Sequence, residues 1–586
     1  MDTPRLKEFS IKGYRSVDGW LRIVLPDGEP LVLIGEKNAG KSNVLRALGF
    51  MFGDFWPGSH QPEDHEYFGR VPEGHEIKLV AHTSGIPCDK GCSNSEVHEI
   101  TWSYAPDDSP PSAFGRSASG CTHTYMSNSI RQSLFCMSVG VNRDLSYQLS
   151  YGSKWTTLSK LMRRFHDRLI ADPDRLDRLR EIFESLKGTF HEVNEFQVFG
   201  DSLRTAFADF GGNLRYGLGI DFSAYDPSNF FRSLRIFPHV DGVPRTYEEL
   251  GTGQEQVLAM SFAYAYAKAF GGDGLLVAIE EPESHLHPLA QQWLARKLRE
   301  LAAVGVQVIV TTHSPYFVDL SKPWTVAVLR KSGEELSTTA TQHTAEQLAV
   351  EMIRRGAPST VTTAESVGVF YDAASTYATL SGLFARACVL VEGATEELAL
   401  PELLQRAGID VLQQGIAIVS VEGISNMAKW ARLYAAYGIP VYAIFDSDSD
   451  RTEAQTSLAS ANETLLALGV TGERQVVIDG LYVSDQYACL DPNFEGAMRK
   501  LFASYEQLEA AAASTVGRSK PLKARFATRL LPDPTDHPVA WAPLKALAAA
   551  INLLVPQWES TGSSLPSALP TASDVSRLAP RRSGQR

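Results

Sequence analysis

The chain has 586 residues, with 44% hydrophobic and 21% charged residues and a formal net charge of -13. That length predicts two or three domains, and the mixed composition excludes a fibrous or disordered protein. The acidic balance argues against a protein that coats nucleic acid indiscriminately, no apolar run reaches the roughly 18 residues that cross a bilayer, and six cysteines are too few for a disulfide framework.

No secretion-signal pattern follows Met1, so the cytoplasm is the expected compartment and no membrane partner is expected. Strands are expected at 6–11 and 21–25, then at 30–34, where an apolar strand runs into a glycine loop followed by a helix at 43–52. Broken strand-like patterns follow at 77–82, 97–104 and 145–150. From 155 to 210 the spacing becomes helical, with Asp172 and Pro173 starting a second helix, and such an insertion (151–230) suits an arm or a dimer surface. Strands at 275–279 and 306–311 close an N-terminal unit expected to span 1–350. A less ordered connection is expected from about 331 to 385, with its linker part at 351–385. A second α/β unit (386–535) begins with a strand at 388–391, a helix at 396–407 and strands at 415–421 and 441–445. A helical segment at 536–558 and a Ser, Pro, Ala and Gly-rich tail at 559–586, expected to be disordered, complete the chain.

Gly35-Glu-Lys-Asn38-Ala-Gly40-Lys41-Ser42 fits G-x-x-x-x-G-K-[ST] in its required strand, loop and helix context. Glycines let backbone N–H groups wrap phosphates, Lys41 supplies charge to the outer phosphates, Ser42 reaches magnesium, and Asn38 and Asn43 belong to the same cradle. ATP is the expected cofactor. The apolar strand before Glu280-Glu281-Pro282-Glu283 ends in carboxylates, where an α/β sheet presents reactive groups. Glu280 is expected to hold the magnesium and Glu281 to orient or deprotonate the attacking water. Two further stretches accompany them: Gly251-Thr252-Gly253-Gln254, similar to the signature loop of ABC-type ATPases, and the strand ending at His313, similar to their switch histidine.

Residues 1 to about 350 therefore resemble an ABC-type ATPase head of the SMC-like class, with Glu280 where ABC proteins usually carry Asp. In such heads the signature loop of one copy completes the ATP site of another, which implies a homodimer or higher homo-oligomer.

A second kit lies nearer the C-terminus. Glu392 ends a strand and Glu396 starts the next helix, while a later strand delivers Asp446-Ser-Asp448-Ser-Asp450. Carboxylates gathered this closely repel unless protons or cations intervene, and hard oxygen ligands select magnesium or manganese. An EF-hand is excluded because Arg451 stands where glycine is required and Ser457 where the bidentate glutamate would be.

A strand ending in Glu and a later one ending in Asp-x-Asp resemble a Toprim domain, which is Rossmann-like. The order ATPase then Toprim, with Glu280-Glu-Pro-Glu-Ser-His-Leu-His-Pro288, is similar to the overcoming-lysogenization-defect (OLD) family of endonucleases, including the nuclease subunit of the Gabija antiphage system. The resemblance implies that Glu392, Glu396, Asp446 and Asp448, with Asp450 nearby, bind one or two metals. It further implies that Glu495 completes the second site and that Lys520, or alternatively Lys523, steadies the transition-state phosphate. DNA is the implied substrate, antiphage defence the implied setting, and a helicase or another defence protein an implied partner. Two rivals stay open: a non-cutting ATP-dependent clamp or sensor, and a Toprim enzyme of topoisomerase or primase type. Cys88, Cys92, Cys121, His123 and Cys136, with His98 in reserve, offer ligands for a structural zinc, although small buried thiols are the favoured reading. Cys388 and Cys489 are expected to be structural.

Overall fold

The structure, a computed structural model, describes residues 3–139 with short gaps, scattered positions between 156 and 269, and 274–555 apart from 285, 334–335, 451–453 and 471–479. The strand expected at 145–150, most of the 151–230 insertion, and the tail from 559 lie outside the described residues.

Three sheets carry the described chain, and a two-residue-per-strand hairpin of β9 (His239–Val240) and β10 (Val243–Pro244) stands apart from them. The first sheet has the order β2-β1-β4-β5-β6-β7, built from β1 (Arg5–Lys12), β2 (Leu21–Val24), β4 (Ile77–Ser84), β5 (Val97–Tyr104), β6 (Ser112–Ser117) and β7 (Thr122–His123), all antiparallel. Strict alternation in β4 puts Ile77, Leu79 and Ala81 on the buried face.

The second sheet has the order β14-β13-β3-β12-β11-β8: β3 (Leu31–Ile34), β8 (Phe135–Val139), β11 (Leu275–Glu280), β12 (Gln307–Thr311), β13 (Val326–Ser332) and β14 (Ser337–Gln342). Its pairs are parallel except β13 with β14. β3, β11, β12 and most of β13 are continuously buried because helices or the first sheet cover both faces. The Lys41–Phe52 helix packs Val44, Leu45, Leu48 and Met51 into the core shared with the first sheet. Because β12 lies between β3 and β11, the loops leaving these three strands open side by side.

The stretch 331–385 corrects the expected loose connection. β14 is followed by helices Ala345–Arg354, Ala364–Ala374 and Tyr377–Ser381. Thr344, Thr363 and Thr376 cap them, each side chain accepting an N–H from three residues on and receiving reciprocal support. These capping boxes are local signals that the weak apolar pattern of the segment conceals. Arg432, 2% exposed, donates to the carbonyls of Arg355 and Gly356 and pairs with Glu463. It thereby ties the end of the Ala345–Arg354 helix to the Ile424–Ala436 and Ala454–Ala467 helices.

The third sheet has the order β16-β15-β17-β19-β18: β15 (Ala387–Val391), β16 (Ile416–Ser420), β17 (Val441–Asp446), β18 (Leu481–Val483) and β19 (Tyr487–Leu490). All neighbours are parallel except β18 with β19. The Ala394–Ala407, Lys520–Arg529 and Pro538–Leu553 helices cover one face through Leu400, Leu403, Ala527, Trp541 and Leu547. Among the described residues, no helix is long and apolar enough to cross a membrane.

Candidate functional site

Two sites form at the carboxyl ends of parallel strands, where backbone turns leave side chains exposed above the sheet. At the first, Gly35 leaves β3 with φ 139°, and a Cβ there would stand 2.1 Å from the Leu329 carbonyl oxygen. Gly40 (φ 98°) is equally constrained, since a Cβ would meet the Thr338 and Ser16 hydroxyls at 2.5 and 2.7 Å. Only glycine suits this backbone path. Lys41 folds over the loop, its Nζ donating to the carbonyls of Gly35 and Glu36 at 2.9 Å each. Burial pushes its pKa down to about 8 against the pull of Glu281, Glu283 and Glu36. Asn43 Nδ2 donates to Ser16 Oγ at 2.8 Å, fixing the loop from outside, while Asn38 takes a positive φ of 66° within it.

Across the loop, Glu280 closes β11 opposite Thr311, and Glu281 follows with φ 47°, its N–H donating to the Thr311 carbonyl at 2.9 Å. His313 Nε2 stands 3.7 Å from Glu281 Oε1. Burial and then Lys41 hold the His313 pKa below its ordinary value. Glu283, to which the sequence pattern assigns no role, accepts Thr312 Oγ1 at 2.7 Å and the His313 N–H at 2.6 Å. It anchors the backbone that carries the histidine. Gly251 and Gly253 lie outside the described residues.

The second site draws on adjacent strands β15, β17 and β19. Glu392 follows β15, and its Oε1 accepts the Asp446 N–H at 2.7 Å, so the two strand ends meet directly. Glu396, in the first turn of its helix, accepts the Gly393 N–H at 3.1 Å and is buried. Burial, with Glu396, Glu392 and Asp448 adding repulsion and Lys520 opposing it, pushes the Asp446 pKa up to about 9. Burial likewise raises Glu396. Asp448 is 7% exposed with φ 49° and accepts the Ser457 hydroxyl at 2.9 Å. Asp450 is exposed. Glu495, 6% exposed, meets Lys520 Nζ at 3.1 Å, and burial works against Lys520's charge while Glu495, Asp446 and Glu396 together hold its pKa above the ordinary value.

Asp491 follows β19, just as Glu392 follows β15. One of its oxygens accepts both the Ser447 and Ser449 hydroxyls at 2.6 Å, and the other accepts Lys500 Nζ at 2.8 Å. Burial alone would raise its pKa, yet the bonds from Lys500, Ser447 and Ser449 hold it below the ordinary value. It thus pins the loop that carries Asp446, Asp448 and Asp450. Sequence reasoning missed it, although a short apolar strand ending in Asp repeats the pattern of β17.

The donor set suits a hard divalent cation. Asp446 Oδ1 and Glu495 Oε1 are buried oxygens without a hydrogen-bond partner, a costly condition that a cation relieves. Among the described residues, no group of three or more His, Cys, Asp or Glu side chains stands close enough together to hold a metal ion as placed, so the carboxylates would have to draw in around one. Of the soft ligands, Cys136 is buried in β8 near Ser138, Cys88 is partly buried, and Cys92 and Cys121 lie outside the described residues. Cys388 and Cys489 are buried inside β15 and β19.

Comparison with known proteins defines the class first. The Toprim domain of overcoming-lysogenization-defect protein-like proteins matches residues 383–448, and an AAA ATPase domain matches 94–318. The chain thus carries an ATPase region followed by an OLD-like Toprim domain, and these domains imply ATP and a divalent metal in general. An OLD nuclease of Thermus scotoductus is 23% identical over 454 residues, 76% of this chain and 82% of that protein. The Old nuclease of Escherichia phage P2 is 29% identical over 182 residues, 30% of this chain and 28% of that protein. Among solved structures, the Smc head bound to the C-winged helix domain of ScpA aligns with 58% of this chain and 97% of its own at 14% identity and a TM-score of 0.33.

Proposed function

We propose that the chain is an ATP-dependent nuclease that nicks or cleaves DNA at the carboxylate site. The observation that carries this reading is the meeting of Glu392 and Asp446 on adjacent parallel strands, beside buried oxygens of Asp446 and Glu495 that lack partners. Glu392, Glu396, Asp446, Asp448, Asp450 and Glu495 are the residues that would hold magnesium or manganese. Such an ion, when bound, activates water and offsets phosphodiester charge.

The chain's own groups do the rest. Asp491 keeps the Asp446–Asp450 loop in register through the two serines. Lys520, its side chain 54% exposed and leashed by Glu495, offers a cation to the phosphate, with exposed Arg518 beside it and Lys523 one turn further along the same helix. These three cations, close together in sequence on a chain of net charge -13, would suit local capture of a nucleic-acid backbone.

In the ATPase half, the loop from Gly35 to Asn43 binds the triphosphate, Lys41 pairs with its outer charge, Ser42 and Glu280 serve the magnesium, Glu281 orients water, and His313 senses the outer phosphate. Gly251 and Gly253 from a second copy complete the site, so the working unit is a homodimer or higher oligomer, with the 151–230 insertion as its contact. The setting is cytoplasmic antiphage defence or DNA processing, with a helicase or another defence protein as the fitting partner.

Nicking of closed circular plasmid with manganese tests the reading. The parent should convert the plasmid to open circles, chelator should stop it, and Asp446→Ala with Asp448→Ala should be silent. A parent that never cuts, yet binds DNA in a nucleotide-dependent way, would favour the clamp instead.

A further inference from the structure

The two sites are joined by a short set of charged contacts that neither chemistry requires. Glu36 is the second residue of the glycine loop, and its carbonyl is one of the two that Lys41 holds. Its carboxylate points to a pair of arginines: Arg330 Nη2 stands 3.8 Å from Oε1, and Arg386 Nε stands 3.7 Å from Oε2. Arg330 lies on β13, next to Leu329, whose carbonyl is the atom that Gly35 approaches too closely to tolerate a Cβ.

The far side of Arg330 reaches the other half of the chain. Its Nη1 donates to the Ala385 carbonyl at 3.1 Å and its Nη2 to the Arg386 carbonyl at 2.9 Å. Those two residues form the root of β15, and the Arg386 N–H donates to the Gly415 carbonyl at 2.9 Å, just before β16. Five residues later β15 ends and delivers Glu392. A strand is stiff along its length, so a shift at its root is felt at its tip.

We propose that Arg330, assisted by Arg386, is a positioning residue shared by both sites, tying Glu36 of the nucleotide loop to the root of the strand that carries Glu392. A triphosphate would be gripped by the same loop peptide and draw on the same lysine, so its arrival moves the Glu36 peptide and adds negative charge beside it. The two guanidinium groups then redistribute between Glu36 and the root of β15. Arg330 is half-buried, and burial lowers its pKa while Glu36 opposes that. A guanidinium so placed cannot be left without partners cheaply, which makes the contact responsive rather than slack.

A static staple would hold the two halves together without passing anything between them, and the test separates that case. Hydrogen–deuterium exchange of residues 385–391 would be followed in the full chain, with and without a non-hydrolysable ATP analogue and magnesium. The parent should change its protection in this segment on binding the analogue. Arg330→Met should bind the analogue yet lose that response, Arg330→Lys should lose most of it because one ammonium cannot span two carbonyls and a carboxylate, and Arg386→Gln should weaken it.

The inference rests on the nuclease reading only in a second arm. There, the ratio of manganese-dependent nicking rates with and without ATP should fall by about fivefold or more in Arg330→Met, with the nucleotide-free rate kept. An unchanged exchange response in both Arg330→Met and Arg386→Gln, or no response in the parent, would overturn the proposal. A parent whose segment responds but which never nicks would sink the nuclease reading and leave the coupling standing.

Discussion

The glycine loop offers its backbone amides and one lysine inside a single run of eight residues, from Gly35 to Ser42, while the acid site gathers side chains from separate elements between Glu392 and Lys520. The first is rigid because glycine-only angles and close backbone packing leave it one shape. The second depends on the register of β15, β17 and β19 and on Asp491 pinning a loop that would otherwise spring apart under its own charge. A backbone site thus fails by losing one group, whereas a convergent site also fails when a residue that touches no ligand loses its hold.

The largest expected effect breaks the acid site alone. Asp446→Ala with Asp448→Ala should reduce plasmid nicking by about 10³-fold or more while nucleotide binding, read by calorimetry, stays at the parent value. The reciprocal change, Lys41→Ala, should lower ATP hydrolysis by about 10²-fold or more in a phosphate-release assay and leave manganese binding intact.

Asp491→Ala sharpens the contrast. It should raise the manganese needed for half-maximal nicking by about 10- to 100-fold, with a smaller fall in the rate at saturating metal, and Asp491→Asn should recover part of the loss. A purely structural role would instead lower the amount of folded protein and leave the metal dependence alone.

Acidity separates the sites as well. Lys41 has its pKa lowered to about 8, so in the free protein the ammonium loses its proton as pH rises through that value, and a bound triphosphate favours the protonated form. Nucleotide affinity should therefore be full below pH 8, fall by up to about tenfold per unit above it, and be accompanied by proton uptake near pH 8. Calorimetry in buffers of different ionisation enthalpy reads both. The smallest effect lies outside either site: Thr344→Ala should cost about 1 kcal/mol in denaturant unfolding through its lost cap and leave both chemistries unchanged.

The same contrast governs what the sequence makes legible. The glycine loop, the strand before Glu280 and the strand ends at Glu392 and Asp446 announce themselves because each motif is contiguous and bounded by apolar strands. β5 occupies the expected residues, 97–104, for the same reason. The 331–385 stretch hides its helices because their signal is three threonine caps rather than a strong apolar stripe. Asp491 and Glu283 carry no motif of their own because their importance lies in what they hold: two serine hydroxyls in one case, the backbone of His313 in the other. Arg330 is more remote still, since only folding brings Glu36 and Arg386 to it from separate stretches of the chain.

That Glu392 and Asp446, whose strand ends meet, would share one divalent ion is the central proposal. Crystals of the protein grown with manganese, measured at the metal's absorption edge, test it directly. The account predicts an anomalous peak within about 2–2.5 Å of carboxylate oxygens from both residues, lost in Asp446→Ala. Manganese bound elsewhere, with these two carboxylates making no contact to it, would contradict the account.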